Sequence, residues 1–331
     1  MKNMFLQPFL VAIVVLSIVY LWGGPAALVL AAMLAVLEIA LSFDNAVTNA
    51  RVIEKMPQLW QKRFLTWGML TSVVGMRLLF PIIIVSAVTF TSPLVVAAVA
   101  FTNSTQYAVL IAGSTLAVKA FGGTFLLLIA LGYFINETKN VHWIAWVEKR
   151  FSKLGNIESV GIAIVLCMLL MVALFNQSHA AIILVSGIIG AVLFIFLEGL
   201  ASDLDIEAVK SAKGGLALFM YLELLDSVFS LDGVVGAFAL TTSLPVILAG
   251  LGIGAYFVRT LTIALVRGGT LKKLIYLEHG AHYAIGGLAL CMLCAIVLSV
   301  PEWLTATLGL FCITMAYFSS RRAVFRTVSN Q

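Results

Sequence analysis

The sequence is poor in charge and in soft metal ligands. Of its 331 residues only 11% are Asp, Glu, Lys or Arg, with 4 cysteines and 4 histidines. Hydrophobic residues make up 62%, and the mean hydropathy of +1.10 lies far above that of a soluble domain. Long polar stretches are missing too, which leaves no room for a separate soluble domain. The chain is therefore predicted to be an all-α polytopic membrane protein with a single membrane domain over 1–331.

Other absences narrow the function. No Walker motif is present, so ATP is not expected to be the direct energy source. The four cysteines lie inside apolar runs, where thiols usually act as small hydrophobic groups. His279 and His282 form an "EHGAH" motif that could serve a cytoplasmic entrance, although structural histidines at the membrane interface are the favoured interpretation. Copper and zinc are thus disfavoured as the bound metal.

Apolar runs separated by short polar connections predict about ten transmembrane helices. The predicted spans are 5–22, 26–47, 64–90, 119–135, 159–175, 180–198, 214–241, 246–266, 281–298 and 303–320. Segment 93–117 is interrupted by the polar run "TNSTQ", which favours an interfacial or re-entrant element over a regular span.

The distribution of Lys and Arg predicts the orientation. Under the ten-span interpretation, 17 of the 20 basic residues fall on one side, and the opposite connections contain none. Cytoplasmic loops retain positive charge, so both termini are predicted to be cytoplasmic. The net charge of +5 is then explained by membrane orientation, and no nucleic-acid partner is needed.

Two acidic motifs form an internal repeat. In "EIALSFDNAV" Glu38 and Asp44 are six residues apart, and in "DSVFSLDGVV" Asp226 and Asp232 have the same spacing. The following span carries one arginine in each half of the chain, Arg77 and Arg259.

The repeat is predicted to be inverted. The two repeats are 1–175 and 176–331. Because each contains five spans, an odd number, the second repeat crosses the membrane in the opposite direction to the first. Inverted repeats with polar groups near the bilayer midplane are typical of alternating-access transporters.

Five acids and two arginines fall within predicted spans. Charge at this depth costs at least about 2.5 to 3.5 kcal/mol per residue, so such groups usually mark an ion path. One alternative is purely structural pairing, in which Arg77 and Arg259 each neutralise one carboxylate. That would leave three acids to be protonated or balanced by a bound cation. The helices are expected to be broken at "SFDN" and "SLDG", which would expose backbone carbonyls.

The oxygen-rich side chains suit a hard divalent cation, with Mn²⁺, Mg²⁺ and Ca²⁺ all chemically acceptable. Arg77 and Arg259 are predicted as intramembrane ion-pair or gating residues. Because Asn45 offers an amide oxygen and Gly233 only backbone, Asn45→Ala is expected to impair ion binding more than Gly233→Ala. The predicted ligands are Glu38, Ser42, Asp44, Asn45, Glu223, Asp226, Ser230 and Asp232.

Both motifs resemble those of the TerC family of integral membrane proteins, which includes proteins implicated in manganese export. The likeness covers about residues 26–300, with Gly233 in place of the final Ser of the second motif and Glu223 as an additional carboxylate. The resemblance implies export of a divalent cation, Mn²⁺ favoured, across the bacterial inner membrane. It also implies that Glu38, Asp44, Asp226 and Asp232 are ligands.

The leading hypothesis is secondary export in which protons return on the same acids, with no bound cofactor and no enzymatic activity. One alternative is a membrane factor that supports metal loading of exported enzymes. The other is an intramembrane aspartyl protease, for which the residues preceding Asp44 and Asp232, Phe43 and Leu231, do not match the expected pattern.

Overall fold

The described part of the chain is almost entirely helical. The computed structural model describes residues 2–135, 141–153, 159–202, 212–269 and 274–329, and no strand occurs among them. The first helices are α1 (Lys2–Leu41), α2 (Phe43–Lys55), α3 (Gln58–Leu70), α4 (Phe80–Thr89), α5 (Pro93–Thr102), α6 (Ser104–Ile135) and α7 (Ala145–Ser152). They are followed by α8 (Val160–Phe175), α9 (Ala180–Ser202), α10 (Ala212–Leu240), α11 (Leu244–Arg267), α12 (Leu277–Cys294) and α13 (Glu302–Ser329).

Each predicted span overlaps a helix. Within the described ranges, four helical segments are long and apolar enough to cross a membrane: Met4–Leu41, Ser104–Ile135, Gln177–Gly199 and Leu244–Arg267. The all-helical membrane class is therefore confirmed, whereas the total of ten crossings and the inverted repeat stay predictions.

The backbone of α1 changes direction where the first predicted connection lies. Gly24 has φ +72° and ψ −169°, a backbone conformation that residues with a Cβ rarely adopt. Pro25 follows it. The helix then runs to Leu41. Ser42 separates it from α2 with φ −100° and ψ 14°, while its amide still donates to the Glu38 carbonyl at 3.0 Å. A one-residue break therefore occurs at the first acidic motif.

No break occurs at the second acidic motif. Helix α10 runs without interruption from Ala212 to Leu240, so the prediction of a broken helix at "SLDG" is wrong. Glycine costs about 1 kcal/mol in a helix interior, which a long apolar helix tolerates because its backbone groups must bond internally in a bilayer.

The polar run "TNSTQ" is a helix boundary. Asn103 ends α5, and its side-chain oxygen accepts from the Gln106 amide at 3.0 Å in the first turn of α6. Helix α6 then extends over 32 residues. The predicted start of this span at residue 119 is therefore wrong, and residues 104–117 belong to a long helix.

A π-helix, Thr71–Leu79, joins α3 to α4. In a π-helix each backbone hydrogen bond joins residues five apart, whereas in an α-helix they are four apart. Such segments are rare in proteins, and those that occur are often found at functional sites. Arg77 lies inside this segment.

The chain divides into two compact units, each assembled from separate stretches. Unit 1 contains Met1–Ser42, Val52–Val118 and Leu200–Ala264, and unit 2 contains Phe43–Arg51, Lys119–Gly199 and Leu265–Gln331. The core of unit 1 brings buried side chains of α1, α4, α6, α10 and α11 together, including Leu34, Val85, Tyr107, Val234 and Leu251. In unit 2 the most extensive packing is between α12 and α13.

Candidate functional site

Glu38 and Arg77 form a buried ion pair in unit 1. Glu38 lies in the last turn of α1, and its Oε1 is paired with Nη2 of Arg77 and accepts from Ser42 Oγ at 3.0 Å. Both charged side chains are about 2% exposed, so water cannot screen the interaction. The proximity of Ser42 to Glu38 follows from its position one turn later, at the end of the helix.

A second buried arginine serves the other motif. Glu223 and Asp226 lie one turn apart on α10, and Nη2 of Arg259 is 3.0 Å from Glu223 Oε1 and 3.8 Å from Asp226 Oδ2. Arg259 also donates through Nη1 to the Phe64 carbonyl at 2.7 Å, and its guanidinium lies 4.1 Å from the centre of the Phe64 ring. Helix α11 thus supplies one cation that two carboxylates share.

The π-helix connects the two ion pairs. Thr71 donates to Glu223 Oε2 at 2.6 Å, and Ser72 donates to Asp226 Oδ2 at 2.8 Å. Arg77 Nη1 donates to the Ser72 hydroxyl and to its carbonyl, both at 2.7 Å. One continuous polar network therefore runs from Glu38 through Arg77 and Ser72 to Asp226 and the second pair.

The network contains more acid than base. Among the side chains that the structure describes, the network contains three carboxylates and two guanidinium groups, all of them buried. When every carboxylate is ionised, one negative charge remains, and its burial is favourable only with a proton or a cation nearby. Pairing with arginine, the structural alternative, neutralises two of these three carboxylates and leaves one acid in excess.

Glu38 is also enclosed by two glycines of unit 1. A Cβ added at Gly233 on α10 would lie 3.0 Å from Glu38 Oε2, and one added at Gly254 on α11 would lie 2.6 Å from Glu38 Cγ. Gly233 therefore leaves space beside the carboxylate, and Gly233→Ala would crowd Glu38. That Asn45→Ala impairs ion binding more than Gly233→Ala stays a prediction.

The other predicted ligands are distributed differently. Ser230 is buried on α10 in unit 1, one turn after Asp226. Asp44 and Asn45 are buried near the start of α2, in the stretch Phe43–Arg51 that belongs to unit 2. Asp232 has a helical backbone in α10, but its side chain lies outside the described part of the structure. The structure therefore brings Glu38, Ser42, Glu223, Asp226, Arg77 and Arg259 into one unit.

No metal-binding group of three or more His, Cys, Asp or Glu side chains is present among the described residues. The carboxylates of the network contact guanidinium and hydroxyl groups instead. Their oxygen donors fit a hard cation as substrate, provided that a guanidinium first releases a carboxylate.

Thr71 and Ser72 were not identified from the sequence. Their only signal is a pair of hydroxyl residues five and six positions before Arg77, and the equivalent positions before Arg259 are Gly254 and Ile253. Their partners lie 152 and 154 residues further along the chain, so spacing alone could not reveal the contacts.

Unit 2 contains a separate buried carboxylate that sequence reasoning also missed. Glu148 Oε1 accepts from the amides of Trp143 and Ile144, each at 3.1 Å. Its Oε2 lies 3.4 Å from His142 Nδ1 and 3.5 Å from His279 Nε2. The structural interpretation of the histidines agrees with these contacts.

Apolar helices of membrane-spanning length and a buried network of ion pairs define the class: this is a helical membrane protein with charged groups in its interior. Residues 43–327 match the family described as "Protein of unknown function (DUF475)", and the chain belongs to that family. No curated protein and no solved structure matches the chain.

Proposed function

We propose that this protein is a secondary transporter that exports a divalent metal cation by alternating access. Mn²⁺ is the favoured ion, and the bacterial inner membrane is the proposed location. The observation that carries the proposal is that the described part of the network, which joins both acidic motifs, contains three buried carboxylates and only two buried arginines. Buried charge of this kind usually marks an ion path.

The network supplies the chemistry that such a transporter needs. Its donors are carboxylate and hydroxyl oxygens, which hard divalent cations prefer. Arg77 and Arg259 hold the carboxylates in the arrangement observed. We propose that an entering cation takes the place of a guanidinium at Glu38 or Asp226, and that protons neutralise the same acids on the return.

The choice of ion and the direction of transport rest on the resemblance of both motifs to the TerC family. Oxygen donors alone do not discriminate Mn²⁺ from Ca²⁺ or Mg²⁺, because selectivity depends on cavity size and on the waters that the ion retains.

Cellular manganese tests the direction. In a strain that lacks manganese efflux, we expect the wild-type chain to lower cell manganese and Asp226→Asn to abolish the effect. Glu198→Gln is the matched control, since Glu198 is an exposed carboxylate on α9. Unchanged cell manganese with a well-expressed wild-type protein would contradict export and favour the metal-loading alternative.

A further inference from the structure

Helix α7 (Ala145–Ser152) turns its single acid towards the interior of unit 2. Glu148 is 1% exposed and is held by the amides of Trp143 and Ile144. Tyr283 of α12 donates to Glu148 Oε1 at 3.4 Å, and His142 and His279 face Oε2. The negative charge of this helix is therefore withdrawn from the surface.

The exposed side of α7 is in consequence basic and aromatic. Trp146 is 69% exposed, and the Arg150 guanidinium lies 4.4 Å from the centre of its ring. Lys149 is exposed beside them, and no ion pair to an acid is found for Lys149 or Arg150 within the described ranges. Because Val141 and Ile144 are also exposed, at 42% and 41%, apolar side chains border the positive charges.

Contacts within unit 2 place α7 near the end of a candidate membrane span. Tyr133 lies in the last turn of α6, and its hydroxyl is 3.2 Å from His279 Nδ1. Nε2 of the same histidine donates to the Val141 carbonyl at 2.8 Å. The chain that leads into α7 is thus fixed beside the end of α6, where a spanning helix would meet the lipid headgroups.

We propose that the α7 face, formed by Val141, Ile144, Trp146, Lys149 and Arg150, binds the anionic phospholipid headgroups of the adjacent leaflet. Tryptophan is enriched at this depth of a bilayer, and Lys and Arg are attracted to anionic lipids. Exposed apolar groups beside the charges insert at the boundary between headgroups and acyl chains. A lipid surface accommodates the positive charges at its headgroups and the exposed Val141 and Ile144 at the start of its acyl chains.

Fluorescence quenching of Trp146 tests the proposal locally. The protein is placed in nanodiscs with brominated phosphatidylglycerol or brominated phosphatidylcholine, and the Trp146 component is the difference between each protein and its Trp146→Phe version. We expect half-maximal quenching of the Trp146 component at a lower mole fraction of brominated phosphatidylglycerol, the anionic lipid, than of brominated phosphatidylcholine. In Lys149→Gln/Arg150→Gln the fraction of phosphatidylglycerol required should rise on the order of tenfold.

The matched control is Lys62→Gln/Arg63→Gln. It removes the same charge from exposed positions, and Arg63 also lies over a tryptophan, 4.5 Å from the centre of the Trp60 ring. Trp60 is buried, however, so the ring over which Arg63 lies is not exposed as Trp146 is. The Trp146 component should not change in the control.

Three results would overturn the proposal. Equal quenching of Trp146 by both lipids would remove the preference for anionic headgroups. An unchanged preference in Lys149→Gln/Arg150→Gln would remove the role of these residues. Absence of quenching by either lipid would show that this face is covered by protein. None of these outcomes depends on whether the protein transports a cation.

Discussion

At the scale of single residues, Ser72 is the connection on which the buried network depends. Its hydroxyl donates to Asp226 and accepts from Arg77, so one oxygen links the two acidic motifs. A hydroxyl can perform both functions because it has one proton and two lone pairs. Loss of this group leaves a buried carboxylate and a buried guanidinium each short of one partner.

Ser72→Ala is therefore expected to lower the free energy of unfolding by about 1 to 3 kcal/mol, the cost of leaving buried polar groups unsatisfied. Ser114→Ala is the matched control, because Ser114 is equally buried but donates only to the Leu110 carbonyl at 2.9 Å. Unfolding monitored in detergent by circular dichroism measures both. Equal effects of the two substitutions would contradict the linking role of Ser72.

The ion pair between Glu38 and Arg77 makes a second residue-scale prediction. Arg77→Met should destabilise by about 3 to 5 kcal/mol, because it leaves an uncompensated buried carboxylate. Glu38→Gln/Arg77→Met should cost less than Arg77→Met alone, since no unpaired charge then remains. A double-mutant cycle of unfolding free energies measures this. Additivity within about 0.5 kcal/mol would mean that the two side chains do not interact.

At the scale of helices, Gly254 permits α11 to approach α1 within unit 1. A Cβ there would lie 2.6 Å from Glu38 Cγ and 2.9 Å from the Ala35 carbonyl oxygen. Gly254→Ala should thus destabilise by about 1 to 3 kcal/mol through overpacking. Gly113→Ala is the control, because Gly113 lies within α6 and an added Cβ there meets no atom within 4 Å.

The control should stabilise the protein by up to about 1 kcal/mol, as alanine is the better helix former. Thermal unfolding of the two variants therefore separates close packing from helix propensity. Destabilisation of similar size in both would indicate that the approach of α11 to Glu38 is unimportant.

The positions of the helices could be predicted from hydrophobic runs, and the reasons are local. Gly24 and Pro25 interrupt the first run, and Ser42, Asp44 and Asn45 weaken the helix at the first motif. The predicted break at the second motif was wrong because Gly233 was interpreted as a helix breaker. In the structure Gly233 lies within a continuous helix and leaves space beside Glu38. The residues next to Gly233 in the sequence do not indicate this contact, because Glu38 is distant along the chain.

The π-helix and the side-chain partners were beyond prediction for a related reason. Arg77 was recognisable as a buried cation, but its bonds to Ser72 depend on the wider turn of the π-helix. Glu148 lies in a stretch that reads as a basic connection, and its burial depends on His279, far away in the sequence. Charge composition identified the acids and arginines of the network, and only the fold revealed Thr71 and Ser72 and showed which side chains are in contact.

At the scale of the whole molecule, buried acids outnumber buried bases among the residues that the structure describes, and the proposed transport depends on this excess. Helices α1, α10, α11 and the π-helix contribute to the network in unit 1, and Asp44 adds a further buried acid in unit 2. A purely structural role would favour matched pairs, since an uncompensated buried charge is destabilising. A cation or proton carrier requires groups whose charge is compensated by the substrate itself.

Cation flux into liposomes that contain only this protein tests whether the protein itself transports a divalent cation. With a manganese-quenched dye enclosed, we predict that wild-type vesicles are quenched when Mn²⁺ is added. Glu38→Gln and Asp226→Asn should reduce the initial rate to that of empty vesicles, while Glu198→Gln retains it. If vesicles that contain folded wild-type protein are quenched by Mn²⁺ no faster than empty vesicles, the proposed transport of Mn²⁺ is contradicted.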